Sequence, residues 1–499
     1  MNYRMIFRLL ALCLLIESLF MLLPLTYGLF AGEDIMPFVY SIGISVAASL
    51  PFLLIFKPYS KVLYARDGWF TAGIIWVVIS LFGTMPFYFS GLSKSFIDCF
   101  FETVSGFTTT GATLLTNIEA HSDSILMWRS LTNWVGGMGV LVLLLAILPG
   151  TESDMRALHL MRAEAPGPNA SKLVPKMGQT AKILYILYFA LTMATFIALI
   201  LAGMPLFDAL LHSWSASATG GFSPKNTSVA HYGSTAVNII ISVSMLLSSI
   251  NFMVFFNLVM RQFKSVFKNS ELLFHLSMLV ICTITVTFNI RNLFPSFGHS
   301  IENAFFQVSS IMTTTGFSSG NYNSWPNLSK NILLILMVFG GCAGSTSGGL
   351  KTVRAVILLK AARREINRLT HSRIVRPIKV DTKAIDDAKV SAVIYFFLIY
   401  AIAIVLCMII LSLDGFDLET TFSAAIATFS NVGPGFGRIG ATGNFSEFSQ
   451  LSKVVLSFGM LLGRLEFFPI IILFVPSTFK LHGQEIAGVS KRFVKRIKG

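Results

Sequence analysis

Long uncharged apolar runs recur along this chain, residues 71–91 and 390–413 among them. Each is long enough to cross a bilayer as a helix, which takes roughly 20 residues. Between such runs lie shorter amphipathic segments, for example 96–107 and 417–429, that are too short to span. Each short segment leads into a hydroxyl-rich peptide ending in glycine. The pattern predicts two N-terminal helices, about residues 4–31 and 35–57, followed by four similar units. A unit reads as an apolar helix, a short half-helix that dips in and returns as extended chain, and a second apolar helix. Backbone outside a helix is tolerated at membrane depth only where protein buries it or it lines a watery cavity. Four such loops meeting about one axis meet that requirement together.

The four peptides are Thr108-Thr109-Thr110-Gly111, Ser217-Ala218-Thr219-Gly220, Thr313-Thr314-Thr315-Gly316 and Ser430-Asn431-Val432-Gly433. A hydroxyl stands three residues before each glycine. Units one and three align without gaps, since Phe100-Phe101 and Phe305-Phe306 precede Gly111 and Gly316 by the same spacing. The expected fold is an all-α polytopic membrane protein with four pseudo-symmetric helix–pore loop–helix repeats around one pore and an N-terminal helix pair. The expected boundaries are 1–66 for the helix pair, 67–155, 156–265 and 266–365 for the first three repeats, and 366–388 for a cytoplasmic loop. The fourth repeat follows over 389–480 and a basic cytoplasmic tail over 481–499.

Composition agrees. Of 499 residues, 54% are hydrophobic and 12% charged, with mean hydropathy +0.71, whereas a soluble protein carries about 25% charged residues. Arg4 and Arg8 precede the apolar run 9–31, but that run is too long for a signal peptide and no clear cleavage site follows it, so it reads as a retained helix.

The formal charge is +14, and its placement matters more than its sum. Lys and Arg concentrate at the N-terminal tip, in segments 57–66, 156–182, 261–268 and 351–389, and in the tail 480–498. The stretches between hold many of the acids. That alternation puts both termini in the cytoplasm. Anionic membrane lipid accounts for most of the basic loops; nucleic acid is not implied, and the longest loop is a candidate docking surface for a cytoplasmic protein. The five cysteines show no CxxC pairing, so neither a disulfide framework nor a zinc site is indicated. The eight histidines form no H-x-x-x-H or H-E-x-x-H pattern, and no acid pair marks a cleft, which argues against a membrane enzyme.

The chemistry is expected at the four peptides. A ring of backbone carbonyls replaces the hydration shell of a cation. Aiming successive carbonyls at an axis forces unusual backbone angles, which glycine adopts without steric cost. The candidate ligands are the carbonyls of Thr109, Thr110, Ala218, Thr219, Thr314, Thr315, Asn431 and Val432, with hydroxyls of Thr108, Ser217, Thr313 and Ser430 as an inner ring. Each half-helix would aim its partly negative C-terminal end at the centre. Asp98, Asp208, Glu302 and Asp417 lie near the half-helix starts, as caps or as a lure for cations.

At these four peptides the chain resembles the Trk/Ktr/HKT superfamily of potassium and sodium transporters, and most of all its Trk-type potassium uptake branch. The likeness covers nearly the whole chain. It runs through Thr109-Thr110-Gly111-Ala112, Ala218-Thr219-Gly220-Gly221, Thr314-Thr315-Gly316-Phe317 and Asn431-Val432-Gly433-Pro434-Gly435. In the HKT branch a serine at the first filter glycine goes with sodium; here Gly111 favours potassium. The resemblance implies a homodimer and a cytoplasmic Trk-type regulatory subunit that itself binds nucleotides. No cofactor is implied, and the potassium ion is the substrate.

The second helix of unit three contains Gly340, Gly341, Cys342, Ala343, Gly344, Ser345, Thr346, Ser347, Gly348 and Gly349. Small and polar residues on every face predict a break in mid-membrane, the alternative being a close helix-packing seam. The resemblance makes this segment a gate beneath the filter. The stretch 344–352 is similar to a phosphate loop, but Leu350 occupies the lysine position and a membrane helix is the wrong setting. Arg464 lies in the last apolar helix and belongs, by the same resemblance, near the gate. It is either a positive barrier to cations or half of a cross-helix salt bridge; Glu466, two residues on, points another way. The small residues of Asn133-Trp134-Val135-Gly136-Gly137-Met138-Gly139 are expected to pack against the filter.

The expected function is a gated potassium-uptake pore of the bacterial inner membrane. The inside-negative potential supplies roughly 2.3 kcal/mol per charge for each 100 mV. The alternative is an ion-coupled potassium, or potassium and sodium, symporter. It is the weaker reading, because no chain of intramembrane Asp, Glu or His residues stands out as a proton relay. A channel-like subunit of a potassium pump is a more distant alternative.

Overall fold

The structure is a computed structural model that describes residues 1–55, 65–139, 142, 177–370, 377–381 and 383–476. Much of the basic segments 57–66 and 156–182, and all of the tail 480–498, lie outside them. The described chain is helical apart from a short hairpin, Lys379–Val380 against Lys383–Ala384.

Two long apolar helices come first, α1 (Tyr3–Ala31) and α2 (Met36–Ile55). Asn2 caps α1 by accepting from the Met5 N–H at 3.2 Å, and Gly32 ends it in the left-handed conformation at φ 71°. The first unit is α3 (Ala65–Gly83), the half-helix α4 (Phe96–Phe107) and α5 (Asp123–Met138). The second is α6 (Met177–Leu201), the half-helix α7 (Leu206–Ala218) and α8 (Thr235–Ser249), bent sharply into α9 (Phe252–Val259). The third is α10 (Ser270–Ile290), the half-helix α11 (Phe297–Met312) and α12 (Asn327–Val338), followed by α13 (Thr352–Thr370). The fourth is α14 (Asp387–Leu411), the half-helix α15 (Leu418–Phe429), α16 (Gln450–Arg464) and α17 (Phe468–Phe474).

Six described helices are long and apolar enough to cross a membrane, or seven if the bent pair α8–α9 is one span. The half-helices run for only 12 to 16 residues. Each packs against its own unit's two helices and against the second helix of the preceding unit: α7 on α5, α11 on α8, α15 on α12. The series closes because α4 of the first unit packs on α16 of the last. Phe101 and Phe306, matched by the gapless alignment, occupy the same buried place in their units.

The sequence pattern puts a break in the second helix of unit three alone. The structure interrupts the others too. The segment α8–α9 turns through 92° at Ile250-Asn251, where the Asn251 side chain accepts from the Met253 N–H at 2.8 Å and starts the new helix. After α16, Glu466 and Phe467 take positive φ before α17 begins. Helix α5 ends at Gly139, with φ 86°.

Candidate functional site

The four half-helices converge, and their C-terminal peptides share one backbone path. The N–H groups of Thr110, Gly220, Thr315 and Val432 each donate to the carbonyl five residues earlier, on Ser105, Ser215, Ser310 and Ala427, at 2.8–2.9 Å. One residue before each donor is a non-glycine residue in the left-handed region: Thr109, Thr219, Thr314 and Asn431, with φ between 53° and 59°. One residue after each donor is a glycine at positive φ: Gly111, Gly221, Gly316 and Gly433. Threonine is rare in that conformation and persists only where its surroundings hold it.

This common path corrects the register of the second loop. Spacing puts Ser217 and Gly220 opposite Thr108 and Gly111. The structure puts Ala218 and Gly221 there instead, a shift of one residue, so the candidate carbonyls of that loop become Thr219 and Gly220 rather than Ala218 and Thr219. The Ser217 hydroxyl is buried without a partner. A signal for the true register exists in the sequence. Gly221-Phe222 matches Gly316-Phe317, and both phenylalanines are buried.

The four glycines close a circuit. A Cβ built on Gly111 would strike the carbonyl oxygen of Gly220, and one on Gly221 that of Thr315. One on Gly316 would strike the Val432 oxygen, and one on Gly433 that of Thr110. Each loop thus abuts the next, and the fourth returns to the first. The residues Thr108, Thr109, Thr110, Thr313, Thr314, Thr315, Ser430, Asn431 and Val432 are all buried around it. Thr108 and Thr313 turn their hydroxyls back onto Thr110 and Thr315 at 2.8 and 2.7 Å, while the Ser430 hydroxyl meets Tyr400 at 2.6 Å.

The segment from Phe339 to Lys351 leaves helical geometry and folds back on itself. Phe339 and Leu350 form a bridge, and the Gly340 N–H donates to the Leu350 carbonyl at 2.9 Å. A Cβ on Gly340 would collide with the Gly348 carbonyl, so the two arms lie too close for side chains. Glu271 at the start of α10 accepts from the N–H groups of Ala343 at 2.7 Å and Val353 at 3.1 Å, pinning both feet of the loop. The Cys342 N–H donates to the Ser249 carbonyl at 2.9 Å, and the Phe252 N–H to the Gly344 carbonyl at 3.1 Å, so the bend between α8 and α9 holds the loop from the side. The Ser345 hydroxyl donates within the loop, to the Cys342 carbonyl at 2.6 Å.

This loop lies across one mouth of the ring. The Thr346 hydroxyl sits 3.1 Å from the Ser217 carbonyl oxygen, and the Gly348 N–H donates to the Thr314 hydroxyl at 2.7 Å. Gly348 also packs directly on Ser430 and Asn431. The first loop is reached by Arg464, whose Nη1 donates to the Thr109 hydroxyl at 3.2 Å and to the Thr346 carbonyl at 2.7 Å. Its Nη2 lies 2.6 Å from the carbonyl oxygens of Gly136 and Gly137. Arg464 therefore bonds to main-chain and hydroxyl oxygens. Glu466 pairs instead with Arg354 of α13, whose guanidinium also covers the Phe396 ring at 3.9 Å. A cavity of 70 Å³ opens beside the loop, lined by Gly137, Gly344, Ser347, Gly349, Lys351 and Arg464 among others.

The segment 133–139 packs where the sequence suggests. A Cβ on Gly136 would strike the Phe107 carbonyl, and one on Gly137 would lie 2.8 Å from the Ala218 side chain. The four acids at the half-helix starts have different partners. Asp417 caps α15, accepting from the Thr420 N–H at 3.1 Å and its hydroxyl at 2.6 Å. Those bonds hold its carboxyl below the usual range. Asp98 meets Lys453 at 3.0 Å, Asp208 accepts from the Tyr232 hydroxyl at 2.7 Å, and Glu302 accepts from Asn238 at 2.8 Å.

Two features escape the sequence reading. Glu102 and Arg129, both fully buried, form an ion pair at 2.6 Å behind the first loop. Glu102 also accepts from the Leu114 N–H at 2.9 Å, and Arg129 donates to the Ser223 carbonyl at 2.9 Å, joining the first and second loops. No spacing rule links two residues on different helices, so nothing short of the fold reveals the pair. The second is Glu17, an acid inside the first apolar run and buried in α1.

The sequence profile of the TrkH family, described as a cation transport protein, matches residues 38–482. A Trk system potassium uptake protein TrkH of Halomonas elongata is 37% identical over 490 residues, covering 96% of this chain and all of its own length. One from Escherichia coli K12 is 37% identical over 425 residues, covering 84% of this chain and 87% of its own. The crystal structure of the potassium transporter TrkH from Vibrio parahaemolyticus superposes with a TM-score of 0.87 at 33% identity, covering 96% of this chain and 100% of that one.

Proposed function

This chain belongs to the TrkH family of cation transport proteins, a family of transporters rather than enzymes, and we propose that it is a gated pore for potassium uptake. Its relatives are named as potassium uptake proteins. The observation that carries the reading is the closed circuit of four loops in one register, with glycines Gly111, Gly221, Gly316 and Gly433 where a side chain would obstruct the neighbouring carbonyl. Carbonyls of residues 109–110, 219–220, 314–315 and 431–432 take the place of water around a dehydrated potassium ion. The partly negative C-terminal ends of α4, α7, α11 and α15 stabilise its charge.

The loop 340–349 and Arg464 act as the gate. In this arrangement Thr346 and Gly348 close the mouth of the ring, and the guanidinium sets a positive charge in the path of a cation. Opening requires the loop to leave the ring, which breaks the Arg464–Thr346 and Gly348–Thr314 bonds together. The distribution of the basic segments supports both termini lying on the cytoplasmic side of the inner membrane. By family resemblance the chain works as a homodimer with a nucleotide-binding cytoplasmic subunit. The exposed basic face of α13, with Arg363 and Arg368, is a suitable landing surface for it.

The experiment is radiotracer potassium uptake into liposomes holding the purified chain, at an imposed inside-negative potential. Uptake that follows the potential and discriminates against sodium supports the pore. Uptake that requires a proton or sodium gradient identifies a symporter, and no uptake of any cation, either by this chain or by Arg464→Ala with its gate loosened, overturns the reading.

A further inference from the structure

Glu17 lies near the middle of α1, 5% exposed, with both carboxyl oxygens buried and without a hydrogen-bond partner. Its place is specific. A Cβ built on Gly83, the last residue of α3, would lie 2.7 Å from Glu17 Oε1 and 2.6 Å from the Phe107 ring. Phe107 is the last residue of α4, immediately before the first loop. The Gly83 carbonyl is already taken by the Trp128 indole N–H at 3.0 Å. Ser18, beside Glu17, spends its hydroxyl on the Leu14 carbonyl at 2.8 Å. The carboxyl thus sits behind the end of the first half-helix, in a space that glycine leaves open.

The charged groups of the surrounding elements are distant or engaged. On α1 the nearest basic residue is Arg8, about 13 Å away along the helix axis at 1.5 Å per residue. Helix α2 carries no Asp, Glu, Lys or Arg between Met36 and Ile55. On α3, Arg66 and Asp67 lie at the opposite end from Gly83. On α5, Asp123 accepts from Tyr27 at 3.1 Å and Arg129 pairs with Glu102. On α4, Asp98 is held by Lys453. Among the described residues an ionised carboxylate there finds no hydrogen-bond donor, and the C-terminal end of α4 beside it is itself partly negative. Burying an uncompensated charge at that depth is costly.

We propose that Glu17 is a proton-binding site, a carboxyl that carries its proton at neutral pH against the end of the first half-helix. The site stands independently of the reading of the ring as an ion filter. It gives the chain a neutral group where a carboxylate would repel the negative end of α4. A cation held in the ring and a proton on Glu17 then compete through the same field, so each weakens the other by the same factor.

Infrared spectroscopy of the purified chain at about pH 8, far above the ordinary carboxyl range near 4, tests this. The expected result is a protonated-carboxyl C=O band that shifts in heavy water and is lost in Glu17→Gln. Labelling the unsubstituted chain with carbon-13 glutamate gives a second reading that needs no variant, since the same band moves if a glutamic acid carries it. A spectrum at that pH with no protonated-glutamate band overturns the proposal. So does a band that survives in a correctly assembled Glu17→Gln protein.

Discussion

Arg464 Nη1 donates to the main-chain oxygen of Thr346 at 2.7 Å, so the end of α16 grips the loop that lies across the ring. The same side chain reaches the Thr109 hydroxyl and the carbonyls of Gly136 and Gly137. One planar cation with several donors joins the 340–349 loop, the first loop and α5, which a lysine's single ammonium cannot reproduce.

Replacing Arg464 with Ala should raise cation leak in the absence of any activating signal. A hydrogen bond to a charged group is worth about 1.5–3 kcal/mol, so losing them shifts closure by at least about tenfold. Arg464→Lys should restore closure only in part. Leak is read as potassium efflux from loaded liposomes, and an unchanged rate in Arg464→Ala would remove the residue from the gate.

The corrected register makes a sharp comparison. Gly221→Ser, like Gly111→Ser and Gly316→Ser, should lower the preference for potassium over sodium, because each forces a side chain against a neighbouring carbonyl at positive φ. Gly220→Ala should do less, since a Cβ there meets the movable Asn133 side chain and φ is not positive. Permeability ratios from reversal potentials decide it. A larger effect at Gly220 than at Gly221 restores the register read from spacing.

Glu102→Gln should cost about 3–5 kcal/mol of stability by leaving Arg129 buried without its counter-ion. Thermal unfolding in detergent measures this. The loss should exceed that of Arg438→Ala, because the Arg438–Glu447 pair is exposed on both sides, and exposed pairs contribute about 0–1 kcal/mol.

Acid should loosen α15 through Asp417. Its folded-state carboxyl titrates below the ordinary aspartate range, chiefly because the Thr420 hydroxyl donates to it. The stabilisation is therefore complete above that range and is lost as pH falls through the lower, folded value. Asp417→Asn should flatten the pH dependence of unfolding below about pH 4. An unaltered acid limb in the variant would show that the cap titrates without consequence.

Much of the fold was open to reading from the chain. The half-helix 96–107 is bounded as its amphipathic pattern predicts, because its length and its hydroxyl-rich stop are local properties. The non-helical stretch from Phe339 to Lys351 follows from small residues that cannot fill any helix face. The register of the second loop is not legible from spacing, because Gly220-Gly221 offers two glycines and only the backbone path selects between them. The bend at Asn251 lacks glycine or proline, so no local breaker announces it. Glu17 was passed over because its neighbours are so apolar that the run reads as membrane-spanning regardless.

Each ring glycine leans on a main-chain oxygen of the next loop, and the last leans on the first. Such a chain of contacts has no free end at which a disturbance can dissipate. A bulky group in any one loop must be felt by the other three, so paired substitutions in different loops should depart from the sum of their separate effects even without touching. The aperture then behaves as one mechanical object drawn from four stretches of sequence.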